Sequence, residues 1–195
     1  NKLSKISIVP CDEKRIEYFQ NKFLAYKTDP INETYDSLIW VKMTTDNITI
    51  PTFIKTIGNG SFYGCSFIKE ITIPSSVTKL EDYSFYGCSS MKTISIPNSV
   101  ISIGNDSFCG CSSLQEITIP SSVIIIGERA FSFCSSLIKI DIESPITTIK
   151  NYTFNGCSSL KEIIIPETVI SICSGSFGGC SSLTRIVIPP SVKSI

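Results

Sequence analysis

Six cysteines, Cys65, Cys88, Cys111, Cys134, Cys157 and Cys180, stand 23 residues apart. Thiols at regular spacing raise two chemistries, a disulfide chain and a metal site. A disulfide needs Cβ atoms about 3.8 Å apart on converging vectors, whereas equivalent positions of stacked repeats point side chains in parallel. Zinc motifs bring ligands together at spacings of about two to four residues, far shorter than this one. Cys109 and Cys111 form a C-x-C pair, but Cys109 stands where other copies carry Tyr63, Tyr86 or Ser132. The total of nine cysteines is odd and fits poorly with a complete intramolecular disulfide framework. The column is read as a ladder of small, buried, reduced thiols beside a core.

The other reactive types lack partners. Ser66, Ser89, Ser112, Ser135, Ser158 and Ser181 each follow a column cysteine. A nucleophilic serine needs an adjacent base, and the chain has 0 His. These hydroxyls are expected to bond turn backbone. Carboxylates fall in a column that reads Glu70, Thr93, Glu116, Lys139, Glu162, Arg185. Strands about 4.8 Å apart would let such side chains pair across a ladder, which is structural rather than acid–base chemistry. No nucleophile–base pair, phosphate loop or metal cluster can be assembled, so no enzyme, cofactor or metal is expected.

Five N-glycosylation sequons begin at Asn32, Asn47, Asn59, Asn105 and Asn151. The last three share one column, in the turn before a phenylalanine. Glycans there would leave the strand face open, as suits a secreted or surface protein. The other reading is one turn sequence copied several times, and both stay open.

Charge and hydropathy narrow the partners. Lys plus Arg and Asp plus Glu are both 17, for zero net charge. A general binder of nucleic acid or anionic membrane would carry a basic excess. No apolar run approaches the ~20 residues of a membrane span, so no membrane insertion is expected of this segment. There is no initiator Met, signal peptide or lipidation motif, which leaves location open.

The elements that position these residues are repeats. Phe recurs at Phe62, Phe85, Phe108, Phe131, Phe154 and Phe177. Pro recurs at Pro51, Pro74, Pro97, Pro120, Pro166 and Pro189, with Glu143 as the one departure. Paired isoleucines precede it, from Ile48/Ile50 to Ile186/Ile188, always in step at 23. One Ile-x-Ile strand per unit is too short to stand alone. Stacked in parallel, such strands bury Ile, Leu, Val and Phe columns in one continuous core. The expected fold is a mostly-β repeat solenoid with six 23-residue units over 48–195.

The unit "SIPNSVISIGNDSFCGCSSLQEI" and the strand "LQEITIP" (Leu114 to Pro120) resemble the BspA-type leucine-rich repeat, with Ile for Leu. The resemblance covers Ile48 to Ile195. It implies a right-handed leucine-rich-repeat stack with a parallel concave sheet. It also implies a role as a cell-surface adhesin or antigen that binds a host or matrix protein. The alternative is an intracellular, cytoplasmic interaction scaffold, which the reduced thiols leave open.

Residues 1–10 read as the strand of a preceding repeat, and 11–47 as an irregular island. Within the island "DEKRIEYFQNKF" reads as a short helix capped by Asp12, and Ser37 to Val41 as a strand. Both ends fall inside repeat register, so a fragment of a longer solenoid is expected, with self-association through its ends as a competitor to partner binding. The candidate partner-binding residues are Trp40, as an aromatic anchor, and an outward group at the last two strands. There the column Thr72, Ser95, Thr118, Asp141, Ile164, Val187 turns apolar. Ile164 and Val187, flanked by Glu162 and Arg185, have the make-up of an interface centre and rim.

Overall fold

The computed structural model describes residues 5–6, 47–50 and 52–195. These residues form a parallel β-solenoid of about six turns, with no helix among them. Trp40, Asn32 and the proposed helix and strand of the island lie outside the described residues.

Each turn carries two strands, one more than the sequence pattern predicts. The long-strand ladder is the Ile-x-Ile series: β2 (Asn47–Thr49), β4 (Glu70–Thr72), β6 (Thr93–Ser95), β8 (Glu116–Ile119), β10 (Lys139–Ile142), β12 (Glu162–Ile164) and β14 (Arg185–Val187). The short-strand ladder comprises β1 (Lys5–Ile6), β3 (Thr56–Ile57), β5 (Lys79–Leu80), β7 (Ser102–Ile103), β9 (Ile125–Ile126), β11 (Thr148–Ile149) and β13 (Ser171–Ile172). All pairings are parallel and in the 23-residue register from β2 and β3 onward, for example Glu116 with Lys139 and Ile57 with Leu80. Lys5–Ile6 pairs with Thr56–Ile57. The described part of residues 1–10 therefore joins the short-strand ladder, not the Ile-x-Ile position that its sequence resembles. A polar residue before one aliphatic satisfies either ladder, because a two-residue strand needs only one inward side chain.

Proline explains where most long strands stop. With no N–H, it cannot continue a ladder. At the one copy with Glu143, the backbone N–H donates to the Ile119 carbonyl at 3.0 Å. The β8–β10 pairing accordingly runs over four residues on each strand, one more than its neighbours.

The core is a set of ladders. Phe62, Phe85, Phe108, Phe131 and Phe154 are fully buried. Their rings stack with centroids 5.0–5.7 Å apart, and the series continues to Phe177 at 5.6 Å. The planes are near parallel, within 2–14° of one another. Beside them lie the column cysteines, all free thiols. From Cys88 onward each of these thiols donates to the Phe carbonyl of the preceding turn, as in Cys111 Sγ to Phe85 O at 3.3 Å and Cys134 Sγ to Phe108 O at 3.2 Å. Serine hydroxyls tie turns together in the same way, Ser99 Oγ to Val77 O at 2.6 Å being one case.

Candidate protein-binding face

Side-chain alternation makes the long-strand ladder two-faced. Along β8 the burial pattern is exposed, buried, exposed, buried, so Ile117 and Ile119 enter the core while Glu116 and Thr118 face out. The outward face is thus made of two columns, those of Glu116 and Thr118, with the Gln115 column at its margin.

At the last two strands the outward residues form the predicted group. Ile164 and Val187 are register partners, 60% and 37% exposed. Arg185 Nη1 pairs with Glu162 Oε2 at 3.3 Å on the same two strands. Both ion-pair side chains are more than half exposed, so the pair fixes geometry more than it adds stability. The structure therefore brings Ile164, Val187, Glu162 and Arg185 together on one open face. Ile186 and Ile188, expected in the core, are 38% and 41% exposed at β14, the last strand among the described residues.

The charge column pairs differently from its sign alternation. Lys139 is in register with Glu116, yet its ammonium donates to Asp141 Oδ2 at 2.7 Å. Asp141 is two residues along the same strand and therefore on the same face. This bond raises the Lys139 pKa, with the nearby Asp141 charge second.

The three column sequons sit in turns and serve the stack. Asn105 Oδ1 accepts from the Glu128 N–H at 2.8 Å, and Asn105 N–H donates to Asp82 Oδ1 at 2.7 Å. Asn151 Nδ2 donates to Glu128 Oε1 at 3.2 Å, and Asn59 N–H donates to Glu81 Oε2 at 3.0 Å. Asn47 opens β2 in register with Glu70, on the long-strand ladder instead of a turn.

Other exposed apolar residues went unforeseen. Ile101, Ile124 and Ile125 are 44%, 55% and 47% exposed beside the short-strand ladder. Phe133 is 59% exposed in a left-handed conformation, φ 57°, where the other copies have Gly64, Gly87, Gly110, Gly156 and Gly179. The break in that glycine column was the available signal.

Among the described residues no three His, Cys, Asp or Glu side chains group to hold a metal ion. No helix among them is long and apolar enough to cross a membrane. The column thiols are poor nucleophiles: burial pushes the Cys88, Cys111, Cys134 and Cys157 thiols well above their ordinary range. Burial, then the Asp106 charge, raises Cys109 to about 11.

Comparison with known proteins decides the family. The model of the BspA type leucine rich repeat region, in 6 copies, matches residues 36–158 and 78–195. The chain belongs to the BspA-type leucine-rich repeat family. Solved relatives share the stack. A leucine-rich repeat protein from Bacteroides ovatus is 28% identical with a TM-score of 0.56, over 79% of this chain and 51% of that one. The T. pallidum leucine rich repeat protein is 26% identical with a TM-score of 0.68, over 77% of this chain and 72% of that one. A leucine rich cell surface protein from Faecalibacterium prausnitzii is 29% identical with a TM-score of 0.52, over 77% and 55%. The chain thus spans about half the length of the first and third of these relatives. No curated protein matches it.

Proposed function

We propose that this BspA-type repeat segment is a non-catalytic protein-binding module. In this reading it is a cell-surface adhesin or antigen that docks a host or matrix protein on its long-strand face. The observation that carries the reading is the exposed Ile164–Val187 pair beside the Glu162–Arg185 ion pair. An apolar centre with a charged margin is how interfaces are built. The parallel ladder holds it rigid, so little ordering entropy is lost on binding. The F. prausnitzii relative, itself described as a cell surface protein, supports the location. The buried free thiols do not count against an oxidising exterior, because exchange requires an accessible thiolate and burial suppresses it at Cys65, Cys88, Cys109, Cys111, Cys134 and Cys157.

The test has two parts. Antibody labelling of intact cells reads the location, and labelling only after permeabilisation defeats the surface assignment. Binding of the Ile164→Ser, Val187→Thr double variant is then compared with the parent on a panel of purified extracellular-matrix proteins, after equal urea midpoints are checked. Losing a central apolar pair should weaken binding at least tenfold, about 1.4 kcal/mol. Unchanged binding removes this pair from the site.

A further inference from the structure

We propose that a groove between β6 and β8 receives a basic side chain, arginine or lysine, from an extended segment of the partner protein. This rests on the reading that the long-strand face binds protein.

The groove lies at one of the interruptions of the ladder. β6 ends one hydrogen-bonded sheet and β8 begins the next, so pairing does not continue between them. The opening has a volume of about 310 Å³ and is lined in part by Ser95, Asn98, Glu116, Thr118 and Glu143. Beneath it Ile94 and Ile96 are 8% and 7% exposed, against 4% and 0% for Ile117 and Ile119 on the other wall.

The lining selects a cation. It offers two carboxylates, two hydroxyls and an amide, and no basic group. Ionised carboxylates only accept, and the hydroxyl and amide oxygens accept as well, matching the several N–H donors of arginine or lysine. The protein's own cations on this face are committed elsewhere. Lys139 donates to Asp141 at 2.7 Å and Arg185 to Glu162 at 3.3 Å. Glu116 feels the Lys139 charge, yet neither Glu116 nor Glu143 has a cation within ion-pair distance among the described residues. Anionic ligands are repelled here. Calcium is poorly served, because it takes about six to eight oxygen ligands, carboxylates prominent among them. Ile164 lies two strands beyond Thr118, about 10 Å at the usual strand spacing. One extended segment can therefore reach both the groove and the apolar pair.

The experiment is an NMR titration of the isotope-labelled chain. The probes are three heptapeptides, Ser-Thr-Val-X-Val-Thr-Ser, blocked at both ends, with X as Arg, Gln or Glu. The Arg peptide should shift the amides of Ser95, Asn98, Glu116, Thr118 and Glu143. The Gln peptide should bind at least tenfold more weakly, and the Glu peptide not at all. Added salt should weaken the Arg complex, because the charges stay partly solvated. Glu116→Thr, Glu143→Pro is the matching variant, since other copies carry Thr93 and proline at these positions. It should lower Arg-peptide affinity about tenfold, as expected for two partly exposed ion pairs. If that variant shifts the urea midpoint, Glu116→Gln, Glu143→Gln takes its place. Equal binding of the Arg and Gln peptides, shifts confined to other residues, or unchanged affinity in the variant overturns the inference. So does calcium chloride shifting the same amides at lower concentration than the Arg peptide. If a matrix protein still binds and is lost only in the Ile164→Ser, Val187→Thr variant, the protein-binding reading stands and the groove inference falls.

Discussion

Replacing Cys111 by serine swaps a buried thiol for a buried hydroxyl. Cys111 is fully buried, and its Sγ donates to the Phe85 carbonyl at 3.3 Å. A C–O bond is shorter than a C–S bond, so the serine oxygen would lie farther from that carbonyl than sulfur does. An O–H···O bond prefers about 2.5–3.0 Å, and the new hydroxyl misses it. The Phe85 carbonyl itself keeps a partner, the Cys88 N–H at 3.2 Å, so the penalty is that of one orphaned hydroxyl. Such a group costs about 1–3 kcal/mol. Among the described residues the stack already holds two, Ser84 Oγ and Ser107 Oγ, so one orphan does not forbid folding. Cys111→Ala leaves only a methyl-sized void, at about 1 kcal/mol. The expected order of stability is parent, then Ala, then Ser. With a urea slope of about 2 kcal/mol/M, a 2 kcal/mol loss moves the midpoint by about 1 M. Slopes must be compared as well, because stacked repeats can unfold in parts. Thiol labelling of the parent supplies a second readout: slow in the native state and fast above the transition. A Ser variant within about 0.5 kcal/mol of the parent, or more stable than the Ala variant, would refute the buried-thiol argument.

High pH should unfold the protein. Burial raises the folded-state pKa of Cys88, Cys111, Cys134 and Cys157 above the ordinary 9.0, so above about pH 9 the unfolded chain loses protons that the folded one keeps. Their stabilisation is complete below that pH and declines as pH rises, by about 1.4 kcal/mol per thiol per pH unit; the Cys109 share is lost between 9.0 and about 11. A urea midpoint that is the same at pH 8 and pH 10 contradicts this. Gly127→Ala should cost about 1–3 kcal/mol by overpacking, because its Cβ would come within 2.4 Å of Asn105 N and Gly104 C; an unchanged midpoint would mean that adjacent turns move apart freely. Phe133→Gly should be neutral or stabilising by up to about 1 kcal/mol, because φ 57° strains a phenylalanine but not a glycine. A loss greater than that would show that the Phe133 ring, packed over Gly156, contributes more than the strain takes away.

What the sequence made legible was whatever depends on a single period. The Ile, Phe, Cys and Pro columns recur at 23 residues, so stacking, ring ladder, parallel register and outward columns all follow. The short-strand ladder was hidden because each strand is two residues long with one inward side chain. Alternation cannot be read from a single inward position. The Lys139–Asp141 pair was hidden because the column argument counted neighbours across strands and not those two residues along one strand. The structural use of Asn105 also needed coordinates, since a sequon and an inter-turn hydrogen-bonding asparagine look the same as text.

In a stack of near-identical turns, inward columns are held by packing, because a change at one level disturbs the levels above and below. Outward columns carry no such constraint and are free to differ. A departure from the repeat is therefore cheap where it faces solvent and informative for the same reason. Three departures lie on or at the margin of the long-strand face. Glu143 replaces proline, lengthens the β8–β10 pairing and adds a carboxylate to the groove. Ile164 and Val187 replace small polar residues and make the exposed apolar pair. Ile138, at the margin, stands where neighbouring copies have Lys92, Gln115 and Lys161, and is 41% exposed. Core packing accounts for none of these, since all four side chains are exposed. Scattered single substitutions would be the outcome of drift on a surface under no selection. Glu143, Ile138, Ile164 and Val187 instead fall on the last three strands of the long-strand ladder or directly beside them. That concentration on one face supports the proposed recognition through the long strands, although Ile101, Ile124 and Ile125 on the short-strand side are just as exposed.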